Sequence, residues 1–433
     1  MQYYFIKRNY SSGLIILSFF LLILVYGCTE EEKVAADTSA KYSNLFSELL
    51  GVNESDVKNR IDSVFNMYFH GDDSTQRLYY PAGDDMAYIE DVLHDDVRSE
   101  GVSYGMMIAV QMDKKEEFDR MWKWVKTYMQ HKEGPAKNYF AWQLKTNGEL
   151  IDSTSASDGE EWFVMSLFFA SARWGDGEGI FNYRNEAQII LDAMISKDPE
   201  NIADKFRFAN PEERASFKEG TIVNMFNTTE KKVVFVPEIQ AAYFTDPSYH
   251  TPHFYELWAM WADKNNQFWK DAADTSRAFL KRAAHPVTGL SPDYAHFDGT
   301  PYSPWGGGND NFQYDAWRVA MNVAVDYVWF AKDNWAVEQS NRLLNFFYKE
   351  GIKTYGGLYT LDGEKLSDEH NTGLVAMNAT AAIASTIENR KEFVQELWDL
   401  SAPSGTYRYY DGMLYMFAML QVSGNFKIYD FEK

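Results

Sequence analysis

One cysteine, Cys28, stands in 433 residues, so the chain closes no internal disulfide and its stability has to come from packing. Lysine and arginine number 41 against 63 aspartates and glutamates, a formal net charge of -22. With no basic cluster, such a surface repels nucleic-acid phosphate. Eight histidines supply no His-Glu-x-x-His spacing, although His250 and His253 stand three apart, and no Gly-Lys-Ser/Thr loop is present to cradle a phosphate. Neither a metal nor a cofactor is expected. No repeat of fixed period occurs, which argues against a regular solenoid.

The one long apolar run, Leu14 to Tyr26, follows Lys7 and Arg8 and is short for a bilayer span. It ends at Val25-Tyr26-Gly27-Cys28, the pattern of a bacterial lipoprotein signal. This predicts a signal peptide at 1–27, a lipid on Cys28, and a polar tether at 28–41. The folded part is then one domain at 42–433, held at the bacterial cell envelope, periplasmic or on the outer-membrane surface, and touching membrane only through that lipid.

What the chain has in abundance is aromatic residues, 16%, with thirteen Trp and twenty-eight Tyr. Flat apolar faces with a polar edge suit the C–H faces of sugars, and they also fill large helical cores. Phe118, Met121, Trp122, Val125 and Met129 fall on one helical face. Similar segments run from Glu54 to Phe69, Glu100 to Met112, Glu117 to Gln130, Glu160 to Trp174, Arg184 to Ser196, His253 to Asp263 and Gln267 to Ala284. The series continues from Phe312 to Phe330, Trp335 to Lys349, Thr372 to Ile387, Lys391 to Leu400 and Met413 to Val422. Strand signals are confined to Thr221 to Phe226 and Val233 to Val236. Short-linked helix pairs predict αα-hairpins, and pairing the first helix with the last gives six of them. The predicted fold class is all-α, an (α/α)6 barrel with small β insertions in its loops.

Three acidic residues stand at the starts of prospective inner helices. Glu100 is followed by Gly101 and Gly105, poor helix formers that make sense where something approaches closely. Asp158 lies in Ser157-Asp158-Gly159-Glu160, which also has the form of a capping box. Asp315 sits in Phe312-Gln313-Tyr314-Asp315-Ala316-Trp317 beside Arg318, and a buried ion pair is its structural alternative.

The stretches Asp96 to Met107, Tyr139-Phe140-Ala141-Trp142-Gln143, Ser157 to Trp174, Asp246-Pro247-Ser248-Tyr249 and Asn311 to Asn322 together resemble glycoside hydrolase family 8. The resemblance spans nearly the whole chain after the tether. It implies an (α/α)6 barrel that hydrolyses β-1,4 linkages with inversion, with Glu100 as general acid and Asp315 as general base. It places Asp158 on the sugar at the cleavage subsite, Tyr249 beside the catalytic water and Trp142 as a stacking platform, and Arg318 joins the substrate-binding set. The chemistry needs a protonated carboxyl at the leaving oxygen and a carboxylate that activates water on the opposite ring face.

Within the family the chain is most similar to the branch that releases xylose from the reducing end of xylo-oligosaccharides. That branch closes its cleft with a histidine-bearing loop, a part that His370 in Leu366 to Gly373 is placed to fill. The run Trp305-Gly306-Gly307-Gly308-Asn309-Asp310 either lets backbone approach the sugar or simply connects. The alternatives are an endo-acting xylanase or endoglucanase of the same family, a catalytically inactive glycan-binding lipoprotein, and a lyase on a similar barrel. The lyase lacks an evident Tyr/His/Arg constellation.

Overall fold

Two kinds of helix alternate along the chain, and the difference lies in their residues. The computed structural model describes residues 42–431, so the expected signal peptide, Cys28 and the tether lie outside the described residues. Helices α1 (Leu45–Leu50) and α2 (Glu54–His70) come first. Then α3 (Ser99–Gln111) is followed by α4 (Lys115–Trp124), and α5 (Ser157–Trp174) by α6 (Tyr183–Met194). The short α7 (Ile202–Phe208) and α8 (Pro211–Arg214) precede α9 (Pro252–Trp261) and α10 (Asn266–Ala283). The series ends with α11 (Arg318–Phe330), α12 (Trp335–Glu350), α13 (Thr372–Ala381), α14 (Arg390–Asp399) and α15 (Arg408–Val422).

Helix α3 is buried without a break from Gly101 to Gln111, and α15 from Gly412 to Val422. A helix that is apolar all round belongs inside. By contrast α2 buries Val57, Ile61, Val64, Phe65, Tyr68 and Phe69 at helical spacing and turns its charges outward. Each striped helix packs on the outside of one inner helix: α4 on α3, α6 on α5, α10 on α9, α12 on α11, α14 on α13, and α2 on α15. The inner six form a closed ring in the order α3, α5, α9, α11, α13, α15. Most joins are backbone close approaches, while α5 meets α9 through side chains, with Trp162 edge-on to Phe254 at 4.9 Å and Thr251 bonded to Glu161. This is the predicted (α/α)6 barrel, closed by pairing the start of the chain with its end. All six inner helices run in one direction, so their N-termini share a rim.

Among the described residues seven short strands decorate the loops: β1 (Tyr79–Ala82), β2 (Met86–Ile89), β3 (Asp96–Arg98), β4 (Gln143–Lys145), β5 (Leu150–Asp152), β6 (Phe226–Asn227) and β7 (Lys232–Val233). The antiparallel sheet β3-β4-β5 carries no sequence signal, because strands of three residues show no period. Its ladder runs on into α3, where the Ser99 N–H donates to the Trp142 carbonyl at 2.9 Å. The strand pair predicted at 221–236 shrinks to β6 and β7 around a turn held by Asn227 Oδ1, which accepts the N–H groups of Thr229 and Glu230.

Several predicted helices differ in extent, among them Met413 to Val422, whose helix α15 already starts at Arg408. Phe312 to Phe330 divides into a 3-10 turn at Tyr314–Trp317 and then α11. The end of Glu117 to Gln130 widens into a π turn at Val125–Met129. Thr372 to Ile387 stops at Ala381, beyond which Asn341 of α12 accepts from the Thr386 N–H and the Ser385 hydroxyl.

Candidate active site

The shared rim gathers the residues that the sequence singled out. Glu100 is the second residue of α3, Asp158 the second of α5, and Asp315 sits in the turn that feeds α11. Tyr249 ends a 3-10 turn, Pro247–Tyr249, just before α9. His370 precedes α13, and Tyr409 is the second residue of α15. Helix N-termini favour negative charge, which fits carboxylates to these places.

One guanidinium organises them. Arg318, 2% exposed, donates from Nη1 to Glu100 Oε2 at 2.8 Å and to the Tyr104 hydroxyl at 2.7 Å, with Asp158 Oδ2 at 3.3 Å. Its Nη2 pairs with Asp315 Oδ1 at 2.8 Å and lies 3.8 Å from Asp246 Oδ2. The two nitrogens of one guanidinium are about 2.3 Å apart, so the Glu100 and Asp315 oxygens facing Arg318 are at most about 8 Å from each other. The two carboxylates therefore lie within about one sugar ring's width of each other. Their side chains are 20% and 28% exposed, against 5% for Asp158 and 0% for Asp246, so Glu100 and Asp315 are the pair open to solvent. Arg318, named with the substrate-binding residues, directs its terminal nitrogens at carboxylates and the Tyr104 hydroxyl.

One buried cation cannot keep four carboxylates ionised. Burial raises the pKa of Glu100, Arg318 opposes the rise, and Asp315 adds to it. Burial takes Asp158 up to about 7 against the pull of Arg318. Asp246 is also pushed well up, by burial and then by Asp315.

Local packing sets each carboxyl group. Tyr409 donates to Glu100 Oε1 at 3.2 Å, and a Cβ on Gly101 would lie 2.5 Å from the Tyr409 hydroxyl oxygen. A Cβ on Gly105 would meet Ile89 at 2.6 Å, so both glycines answer to a close approach. The capping box at Ser157 is absent: Ser157 is already helical, Ala156 makes no side-chain cap, and Glu160 accepts instead from the Phe140 N–H at 2.8 Å. Asp158 Oδ1 accepts from the Gly159 N–H at 2.9 Å. The backbone N–H of Asp315 donates to Asp293 Oδ1 at 3.2 Å, and Asp293 Oδ2 accepts from Asn309 and Gln313. The run from Trp305 to Asp310 thus ends in a tie to the residue that seats Asp315.

The aromatic and histidine positions complete the rim. Trp142 is half-buried beside the Arg98 guanidinium, 5.8 Å from its ring. The Tyr249 ring stacks on Phe235 at 5.8 Å and has the Arg318 guanidinium 5.7 Å from its centre. His370 Nδ1 donates to the Tyr355 carbonyl at 2.8 Å, which leaves Nε2 for another partner. A Cβ on Gly356 or Gly357 would strike Ser367 or Asn371, and the Gly357 carbonyl accepts from Trp317 Nε1 at 3.0 Å. The His370 loop is thereby tied to the turn that bears Asp315.

Sequence reasoning did not name Asp293 or Tyr409, held Tyr104 only as part of the Asp96 to Met107 stretch, and gave Asp246 no role. Asp246 had a legible signal, since it caps the Pro247–Tyr249 turn through the Ser248 N–H at 2.6 Å. Among the described residues no group of three or more His, Cys, Asp or Glu side chains is arranged to hold a metal ion.

Sequence and fold both match known proteins. The sequence matches the family description "Glycosyl hydrolases family 8" over residues 91–198 and 233–424. It is 45% identical over 401 residues to the reducing-end xylose-releasing exo-oligoxylanase Rex8A of Paenibacillus barcinonensis, covering 92% of this chain and 99% of that one. It is 41% identical over 394 residues to the reducing end xylose-releasing exo-oligoxylanase of Halalkalibacterium halodurans, with 90% and 95% covered. The structure of Rex8A complexed with xylose superposes with a TM-score of 0.82, covering 91% of this chain and 99% of that one. A GH8 xylobiose complex from Teredinibacter turnerae gives 0.82 at 45% identity, covering 90% and 99%.

Proposed function

The chain belongs to glycosyl hydrolases family 8, and from that premise we propose that it hydrolyses β-1,4-linked xylo-oligosaccharides with inversion, releasing xylose from the reducing end. Glu100 gives its proton to the glycosidic oxygen as the bond to the anomeric carbon breaks. Asp315 takes a proton from the water that attacks that carbon from the opposite face. The single observation that carries this reading is the shared guanidinium: Arg318 ties both carboxylates to one place through different nitrogens, at a separation of about 8 Å or less. That bound admits the roughly 6.5 to 9.5 Å of an inverting pair and also the roughly 5 to 5.5 Å of a retaining one, so the geometry supports the pairing and the family membership supports inversion. The raised pKa of Glu100 supports the acid role, because a proton donor has to hold its proton at working pH.

Asp158 and Tyr249 border the same space and serve the sugar at the cleavage point, and Trp142 offers a stacking face further along. His370 closes the leaving-group side, and its Nε2 meets the reducing-end sugar, which makes the enzyme exo-acting. Relatives named for reducing-end xylose release support that choice at 41% to 45% identity, and Endoglucanase A of Acetivibrio thermocellus is 27% identical. A GH8 xylanase of Teredinibacter turnerae stands at 45%, so identity favours xylan over glucan and the products decide exo from endo. Residues 1–27 are read as a cleaved signal and Cys28 as the lipid-bearing residue, which puts the enzyme at the cell envelope. The support is the sequence Val25-Tyr26-Gly27-Cys28, and loss of radiolabelled palmitate incorporation in Cys28→Ala tests it.

Product analysis on xylohexaose and cellohexaose tests the substrate and the mode of action. Xylose and xylopentaose as the only early products, lost in Glu100→Ala and Asp315→Asn, are expected. Equal rates on cellohexaose, or mixed early oligomers, would overturn the assignment in favour of an endo-acting enzyme. Saturable binding without turnover would mean a glycan-binding protein.

A further inference from the structure

Glu161 is a fully buried carboxyl group that the hydrolytic chemistry does not use. It projects from the first turns of α5 toward the start of α9, where the Thr251 hydroxyl donates to Oε2 at 2.6 Å. The Tyr255 hydroxyl lies 3.0 Å from each carboxyl oxygen and 3.2 Å from the backbone carbonyl of Tyr249, and it accepts the Thr251 N–H at 3.3 Å. The carbonyls on either side, those of Ser248 and His250, both accept from Asn322 of α11. The turn that carries Tyr249 is therefore held from two sides, and the Tyr249 carbonyl depends on Tyr255.

Tyr255 has one hydrogen and two acceptors in reach. If Glu161 is a bare carboxylate, it draws that hydrogen and the Tyr249 carbonyl goes without. If Glu161 keeps a proton, that proton is donated to the Tyr255 oxygen and the phenol hydrogen passes to Tyr249, so every donor finds an acceptor. We propose that protonated Glu161 is a positioning residue for Tyr249, acting through Tyr255 to fix the turn that presents the Tyr249 ring to Arg318 and the carboxylates around it. Burial pushes the Glu161 pKa well up, against the hydrogen bonds from Thr251 and Tyr255 and with help from Asp158 and Glu160 on its own helix. This deepens the proposed hydrolysis and rests on it only for the effect on turnover.

The test compares Glu161→Gln, Glu161→Ala, Tyr255→Phe, Tyr249→Phe and the double variant Glu161→Ala/Tyr249→Phe on xylotriose. A glutamine amide donates and accepts as a protonated carboxyl does, so Glu161→Gln is expected to keep kcat within about threefold of the parent. Glu161→Ala and Tyr255→Phe are expected to lose at least about tenfold in kcat with KM changed less than about threefold. The double variant is expected to be no slower than Tyr249→Phe. Should Glu161→Ala fail to fold by circular dichroism, Tyr255→Phe with and without Tyr249→Phe reads the same coupling. A second readout is the carbon-13 ring resonance of Tyr249, assigned with Tyr249→Phe, which is expected to shift in Tyr255→Phe and hold in Glu161→Gln. Glu161→Gln as slow as Glu161→Ala, losses that multiply, or an unmoved Tyr249 resonance would overturn the proposal. A parent enzyme inactive on xylotriose would refute the hydrolytic reading alone, and the resonance would still decide this one.

Discussion

Tyr409 reaches Glu100 because residue 101 has no side chain: the phenol donates to Oε1 at 3.2 Å from a ring that a Cβ on Gly101 would overlap, 2.5 Å from its oxygen. The carboxyl proposed as the proton donor is thus oriented by the opposite end of the chain, across the seam where the barrel closes. Gly101→Ala is expected to push Tyr409 off Glu100 and lower kcat at least about tenfold. Overpacking of this kind costs about 1 to 3 kcal/mol, which thermal unfolding reads. An alanine enzyme with normal kcat would mean that the contact is incidental.

The same hydrogen bond favours the ionised form of Glu100, while burial raises its pKa. Tyr409→Phe removes the stabilisation of the anion, so the Glu100 pKa should rise further and the alkaline limb of kcat/KM should move to higher pH. A limb that moves to lower pH would contradict the assignment of Glu100 as the acid.

Arg318 is the one cation within 4 Å of Glu100, Asp158, Asp246 and Asp315 among the described residues. Removing one partner of a buried ion pair costs about 3 to 5 kcal/mol, and Arg318→Met should fall in that range at pH 7. The deficit should shrink toward pH 5, where Asp158, which titrates at about 7 in the parent, is protonated and no longer draws on Arg318. Denaturant melts at the two pH values measure this, and a deficit that does not depend on pH would contradict it.

Asp158 and Asp293 are each carried up to about 7, chiefly by burial. Their folded pKa values exceed the unfolded ones, so the folded form binds the extra protons. The contribution to stability is then complete below about pH 4 and is lost as the pH rises through 7. The parent protein should melt at falling temperature from pH 5 to pH 8, and Asp158→Asn or Asp293→Asn should flatten that slope. An unchanged slope in both variants would place the titration elsewhere.

His370 leaves Nε2 uncommitted while its other nitrogen binds the Tyr355 carbonyl. Chromatography of early xylohexaose products should show His370→Ala losing at least about tenfold in xylose release and gaining fragments longer than one sugar on the reducing side. Loss of activity without any change in products would assign His370 to holding its loop.

What the sequence made legible followed from local rules. Outer helices show their stripe in Phe118, Met121 and Trp122, and Gly101 and Gly105 announce a close approach without naming the partner. Asp315 and Arg318, one helical turn apart, read as a pair and are one. What stayed hidden depends on long-range closure. Nothing near Asp293 marks it as the seat for Asp315, twenty-two positions on. Tyr409 meets Glu100 only because α15 packs on α3 where the inner ring closes. The capping box at Ser157 misled because tertiary contacts claimed Glu160 for the Phe140 backbone.

The division of labour between Glu100 and Asp315 is tested most directly with β-xylobiosyl fluoride, whose leaving fluoride needs no proton. Glu100→Ala should hydrolyse the fluoride within about tenfold of the parent rate while losing xylotriose, and Asp315→Ala should lose both. Equal loss of the fluoride in the two variants, or survival in Asp315→Ala instead, would contradict the assignment of acid and base.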